Sequence, residues 1–227
     1  MKALHFDDAD FARHYVEDGP GRFVPGYAVM QRMAAQLIAE RAPEGADILV
    51  LGAGGGLETL ALAQVQPNWR FHGVDPSAEM LALAKTVCGP VLSRTEWTEG
   101  YIQDAPAGPF DGATCLLTLH FVPDDGGKLE TLGALRRRLK PGAPLVLVDL
   151  CLDKAASNYD DRRDRYARFA LNSGADADDV EATRTRLKEV LHTVPPARNE
   201  ALLAEAGFKG IELFYAGLSW RGWVAYA

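Results

Sequence analysis

Val50-Leu51-Gly52-Ala53-Gly54-Gly55-Gly56-Leu57 is the stretch that decides the fold of this chain. Upstream of the glycines, Ile48-Leu49-Val50-Leu51 is a short apolar run with the composition of a buried strand. Downstream, Leu57, Leu60, Ala61 and Val65 recur at helical spacing until Pro67 stops them. The stretch therefore reads as strand, glycine turn and helix. Glycine lets backbone come close to a ligand, and the first N–H groups of a helix have no partner within it. Dinucleotide sites favour GxGxxG, whereas here the glycines stand at 52, 54 and 56 and Leu57 takes the place of the third dinucleotide glycine. The spacing is GxGxG. Taken alone, such a turn also has a purely steric explanation.

Working outward, Trp69 to Val74 reads as a second strand ending at Asp75, roughly 20 residues beyond the loop, where a carboxylate can accept from both ribose hydroxyls of a nucleoside. Asp75 would equally serve as N-cap of the helix that opens at Pro76-Ser77. Before the loop, Met30, Met33, Leu37 and Ile38 form one stripe of a helix over residues 26 to 41. After it, strands are expected near Val91-Leu92, over Gly112 to Leu117 and over Leu145 to Val148, with a helix through Leu129, Leu132, Leu135 and Leu139. Residues 153 to 193 interrupt this alternation with helical periodicity, a short helix follows over Asn199 to Ala206, and Ile211 to Tyr215 with Trp220 to Tyr226 read as a terminal hairpin. Alternating strands and helices mean an α/β fold with a largely parallel sheet.

The 227 residues suit one compact domain, with residues 8 to 27 and 153 to 193 as helical lid segments. No charge-free apolar run approaches the roughly 18 residues of a membrane span, and an acidic N-terminal stretch predicts a cytoplasmic protein. Cys88, Cys115 and Cys151 are odd in number and widely spaced, which excludes a disulfide framework and a zinc site and places them in the core. No metal is expected. The net charge of −7 disfavours a polyanionic partner, and the basic run Arg136-Arg137-Arg138 falls mainly on the solvated face of its helix, against the alternative of an RNA-binding patch. A small molecule is the expected partner, neither nucleic acid nor membrane is, and a homodimer is left open.

Four further segments join the glycine turn: Gly73-Val74-Asp75-Pro76-Ser77-Ala78-Glu79-Met80-Leu81, Phe110-Asp111, Leu119-His120-Phe121-Val122-Pro123-Asp124, and Leu139-Lys140-Pro141-Gly142-Ala143-Pro144-Leu145. Together they resemble the class I S-adenosylmethionine-dependent methyltransferases. The resemblance spans roughly residues 45 to 150 and implies a Rossmann-like seven-stranded sheet of order 3-2-1-4-5-7-6, strand 7 antiparallel, with helices on both faces. It implies cofactor contacts from Gly52, Ala53, Gly54, Asp75, Pro76, Ile102 and Leu117. Tyr101 stands where the family often has aspartate on the adenine amino group, and could stack, bond or simply pack. Val50 stands where many members carry an acidic residue directed at the methionine moiety.

A more distant resemblance, through Val24-Pro25-Gly26-Tyr27, Thr118-Leu119-His120-Phe121 and Ala206-Gly207-Phe208, is to the branch that transfers carboxymethyl groups to tRNA wobble uridine. It implies that Tyr27 reaches the amino-acid end of the cofactor, and that Arg184 pairs with the extra carboxylate of carboxy-S-adenosylmethionine. Arg184 also fits a solvated helical face. His120 lies where the family places residues near the transferred methyl, as general base or as a histidine bonded to nearby loop backbone. Cys115 and Cys151 have no visible activating partner, so covalent catalysis is not expected. The expected activity is direct in-line methyl transfer from S-adenosylmethionine to a small-molecule acceptor, leaving S-adenosylhomocysteine. A relative using the carboxylated cofactor, a non-catalytic cofactor-binding protein and a nicotinamide-dependent oxidoreductase are the alternatives.

Overall fold

A computed structural model describes residues 19–227. Its elements run α1 (Tyr27–Ala39), β1 (Asp47–Leu51), α2 (Leu57–Val65), β2 (Arg70–Asp75), α3 (Ala78–Val87), β3 (Thr95–Glu99), β4 (Gly112–Leu116) and α4 (Gly127–Arg137). The chain continues through β5 (Pro144–Leu150), α5 (Tyr159–Asn172), α6 (Ala177–Glu189), α7 (Pro196–Glu205), β6 (Lys209–Gly217) and β7 (Trp220–Tyr226). The seven strands form one sheet of order β3-β2-β1-β4-β5-β7-β6. Strands β1 to β5 pair in parallel, and β7 runs antiparallel between β5 and β6. This is the architecture that the resemblance to the methyltransferases implies.

Strand alternation sends side chains to two cores, one on each face of the sheet. Ile48, Val50, Val146 and Val148 join Met30, Ala34 and Ile38 of α1 and Leu62 and Ala63 of α2. Leu49, Leu51, Cys115 and Leu147 join Leu132 and Leu135 of α4 and Leu202 and Leu203 of α7. Strands covered on both faces carry apolar residues at nearly every position, as Leu145-Val146-Leu147-Val148 does. Met33 and Leu37, expected on the buried stripe of α1, are only half-buried, and the small Ala34 and Ala35 pack deepest.

Two local expectations are corrected. Val91-Leu92 belongs to a 3-10 helix over Gly89–Arg94, and the third strand follows it at Thr95–Glu99. That strand has few apolar residues because it is an edge, and its register with β2 from Phe71↔Thr95 to Asp75↔Glu99 defines it. The helix at Pro76 is capped by Ser77, whose hydroxyl accepts from Met80 N, and not by Asp75. Residues 153 to 193 do form helices without a strand. Of the expected lid segment 8 to 27, residues 8 to 18 lie outside the described residues.

At Gly56 φ is +73°, and an added Cβ would sit 2.9 Å from Ala84 Cα and O, which are backbone and cannot swing away. Gly89 has open space around it and no left-handed backbone. Gly56→Ala should therefore lose about 1–3 kcal/mol of unfolding free energy, whereas Gly89→Ala should not lose stability by comparison; equal urea midpoints for the two variants would contradict this account of α2–α3 packing.

Candidate active site

The turn after β1, Asp75 at the end of β2, the bend after β4 and Asp149 near the end of β5 come together at the carboxyl edge of the sheet. The strand order reverses between β1 and β4, which is where ligands bind in open α/β sheets. The glycine turn is fixed first by backbone. Gly52 N and Ala53 N both donate to Val74 O, at 2.8 and 3.1 Å, so the turn folds over the neighbouring strand. Gly52 has φ +80°, and a Cβ there would overlap the Thr118 side chain. A Cβ on Gly54 would lie 2.7 Å from Asp75 Oδ2. Only glycine permits both contacts.

Gly54 N instead donates to Asp75 Oδ2 at 2.9 Å, and Ser77 N donates to Asp75 Oδ1 at 2.9 Å. A carboxylate has about four acceptor sites, so these backbone bonds and bonds to ribose hydroxyls are compatible. Pro76 is exposed beside it. Tyr101 is 62% exposed; its backbone N–H donates to Asp104 Oδ2 at 2.8 Å and its carbonyl accepts from Asp104 N at 3.0 Å, while Ile102 is buried in the α4-side core. Tyr27 opens α1 after Gly26, a left-handed N-cap at φ +67°. The segment before it is pinned by Tyr215 Oη donating to Pro25 O (2.6 Å) and Trp220 Nε1 donating to Phe23 O (3.2 Å). Gln31 Nε2 donates to Tyr27 Oη at 2.8 Å, orienting the phenol.

After β4 the chain bends through Leu117, a non-glycine residue at φ +56°, into a 3-10 turn over Leu119–Phe121. Backbone strain of this kind persists where surrounding structure holds it, and here Leu117 N donates to Val148 O at 2.8 Å. The bend delivers His120 to a buried position. Its Nδ1 lies 2.8 Å from Asp149 Oδ1. The histidine is bonded to a side-chain carboxylate, which corrects the expectation of loop backbone as its partner. Asn199 Nδ2 donates to Asp149 Oδ2 at 2.9 Å, and Trp220 packs edge-on against the imidazole at 5.6 Å. A carboxylate only accepts, so Nδ1 carries a proton, and in the neutral ring Nε2 is then the acceptor.

Asp149 has no exposed surface. Burial by itself raises a carboxyl pKa, yet the hydrogen bond and charge of His120, the Lys128 ammonium and the Asn199 amide together hold Asp149 below its ordinary value. Lys128 is equally buried and donates to Leu119 O at 2.6 Å, so the same cation balances Asp149 and holds the histidine turn. Sequence reading missed Asp149, Asn199 and Lys128; the signal for Asp149 was a lone acid at the end of an otherwise apolar strand. All three cysteines are buried, and burial raises each thiol pKa, to about 11 for Cys88 and about 12 for Cys151, so none is an activated nucleophile. Among the described residues no cluster could hold a metal ion, and no helix is long and apolar enough to cross a membrane.

Gly52, Ala53, Gly54 and Asp75 thus meet at one sheet edge, and on α6 Arg184 Nη2 meets Asp164 at 2.7 Å while its Nε lies 3.7 Å from Glu181. A glycine turn bound to a carboxylate at the end of β2, in a sheet whose last strand is antiparallel, defines a Rossmann-like nucleoside-binding protein. The chain belongs to the S-adenosylmethionine-dependent methyltransferase family. A family described as a methyltransferase domain matches residues 49–145. A carboxy-S-adenosyl-L-methionine synthase from Chromohalobacter salexigens is 30% identical over 210 residues, covering 90% of this chain and 77% of the relative. A trans-aconitate 2-methyltransferase from Azoarcus is 31% identical over 145 residues, covering 63% of this chain and 52% of that protein. The solved structure of an O-methyltransferase family 2 protein from Planctomyces limnophilus, in complex with apigenin, superposes with a TM-score of 0.64 at 18% identity, over 99% of this chain and 62% of that one.

The Asp149 cluster has a consequence for acid stability. Because its folded pKa is depressed, Asp149 contributes stability that is complete above the unfolded value of about 4 and is lost as pH falls through the folded value. Asp149→Asn should be less stable than wild type at pH 7 and should lose less stability on acidification toward pH 3. Parallel urea-midpoint curves over that range would show that Asp149 does not carry the linkage.

Proposed function

We propose that this chain transfers a methyl group from S-adenosylmethionine, in line and without a covalent enzyme intermediate, to a small-molecule acceptor. The observation that carries this reading is the placement of the His120–Asp149 pair at the same sheet edge as the glycine turn and Asp75. S-adenosylmethionine supplies an electrophilic methyl on a sulfonium when bound. The residues fit it: Gly52, Ala53 and Gly54 offer backbone, Asp75 faces the ribose position with Pro76 beside it, Ile102 and Leu117 line the nucleoside, and Tyr27 serves the amino-acid end. The exposure of Tyr101 supports a role for it in covering the adenine.

Methyl transfer depends chiefly on alignment and exclusion of water. Helices α5 and α6 support the reading of residues 153 to 193 as a cover, because Tyr166 of α5 packs 6.4 Å from Trp220, which in turn packs on His120. His120 Nε2, its tautomer set by Asp149, takes the proton of an acceptor hydroxyl or amine. The similarity to a trans-aconitate 2-methyltransferase supports a small acceptor, as does a structural neighbour solved in complex with apigenin.

A second reading is a carboxylated cofactor, favoured by the similarity to carboxy-S-adenosyl-L-methionine synthase. Two acidic partners already engage the Arg184 guanidinium, which supports the ordinary cofactor. Native mass spectrometry of freshly purified protein tests the choice directly: a retained ligand with the mass of S-adenosylmethionine or S-adenosylhomocysteine is expected, and the carboxylated mass would establish the second reading. In calorimetry S-adenosylhomocysteine should bind and NAD should not. Asp75→Ala should lose about 1.5–3 kcal/mol of that affinity, the scale of charge-assisted hydrogen bonds. His120→Ala should retain S-adenosylhomocysteine while transfer of labelled methyl to the low-molecular-weight fraction of a cell extract falls by roughly 10²- to 10⁴-fold; label appearing on tRNA instead would overturn the small-molecule assignment.

A further inference from the structure

Glu58 is a buried carboxyl that the site as described does not use. It sits in the first turn of α2, two residues beyond Gly56, and keeps only 9% of its surface exposed. Its Oε1 is buried with no hydrogen-bond partner, and so is the hydroxyl of Thr114 on β4. Burial pushes the Glu58 pKa up to about 8, and the nearby Thr114 hydroxyl offsets this only in part. An acid in this state costs stability and gains nothing from the fold around it. Such an orphan beside a ligand loop points to a partner that arrives with the ligand.

The register of the sheet says what that partner is. Thr114 is the β4 partner of Val50, the position at which the resemblance to the methyltransferases implies an acidic residue. Here that position is apolar and lies in the same core as α1 and α2. A carboxyl group approaches this place from the other side of the loop, carried by α2 rather than β1. Tyr27, at the start of α1, packs against the same core. Helix α2 thus brings Glu58 in over the very strand pair from which the acid is missing. A lone carboxylate in an apolar setting selects a cation with N–H donors.

We infer that Glu58, with Thr114 beside it, binds the α-ammonium group of the methionine portion of the cofactor, in place of the acid that Val50 lacks. This rests on the cofactor reading above. On binding, the ammonium donates to Glu58 Oε1 and the carboxyl ionises. Glu58 thereby distinguishes amino-acid-bearing nucleosides from those without the amine, a selectivity for the cofactor that the glycine turn and Asp75 cannot provide.

The experiment is calorimetry on the full chain with S-adenosylhomocysteine and with its analogue lacking only the α-amino group, for wild type, Glu58→Gln and Thr114→Val. Wild type should prefer S-adenosylhomocysteine over the deaminated analogue on the order of tenfold to a hundredfold, the range of one charged hydrogen bond. In Glu58→Gln that preference should collapse to within a few-fold, with unchanged affinity for the analogue; Thr114→Val should reduce it partially. The Glu58→Gln protein should unfold at a urea concentration no lower than wild type, because the orphaned acid does not support the fold. A wild-type preference retained in Glu58→Gln overturns the inference and leaves the cofactor reading intact. Failure of wild type to bind either nucleoside overturns the cofactor reading itself, and this inference with it.

Discussion

A full negative charge with no exposed surface must be compensated on every side, and Asp149 imposes that requirement on the carboxyl edge of this sheet. Four separate pieces of chain meet it: β5 carries the acid, the turn after β4 brings His120, α7 brings Asn199 and α4 brings Lys128. Each of these elements is fixed in position partly by the need to reach one carboxylate. The His120 turn is further tied by Lys128 to Leu119 O and by His192 N to His120 O at 2.7 Å. The chain leaving α6 is therefore tied to the turn that carries the imidazole.

The cofactor side of the site follows a different logic, in which backbone does the positioning. The turn after β1 is held by N–H groups of Gly52, Ala53 and Gly54 to Val74 O and Asp75 Oδ2, so it depends on the parallel register of β1 with β2 rather than on side-chain packing. Asp75 is in turn shaped by Ser77 N, which begins the cap of α3. Loop, Asp75 and helix start form one hydrogen-bonded unit.

The surface is acidic overall, yet its arginines are largely spoken for. Arg138 donates to the carbonyls of Gln103, Ala105, Pro106 and Ala134, Arg198 is paired with Asp124 and Glu205, and Arg184 with Asp164 and Glu181. The basic run Arg136-Arg137-Arg138 thus contributes a structural clamp as well as solvated charge.

The sequence by itself determined the sheet, because hydrophobic runs, the glycine spacing and the proline and glycine stops are local signals that act through backbone sterics and strand burial. The meeting of Gly52, Gly54 and Asp75 at one sheet edge was legible too, since each is close in sequence to the strand that presents it. It misplaced the third strand at Val91-Leu92, because an edge strand such as Thr95–Glu99 is defined by its register with β2 and not by apolar content. Only the tertiary structure decided the company of His120, the pairing of Arg184 and the isolation of Glu58. Asp149 is 29 residues from His120 and Asn199 is 50 residues from Asp149, so no local pattern links them. Burial, which sets the charge state and partner of each of these groups, is a property of the packed chain.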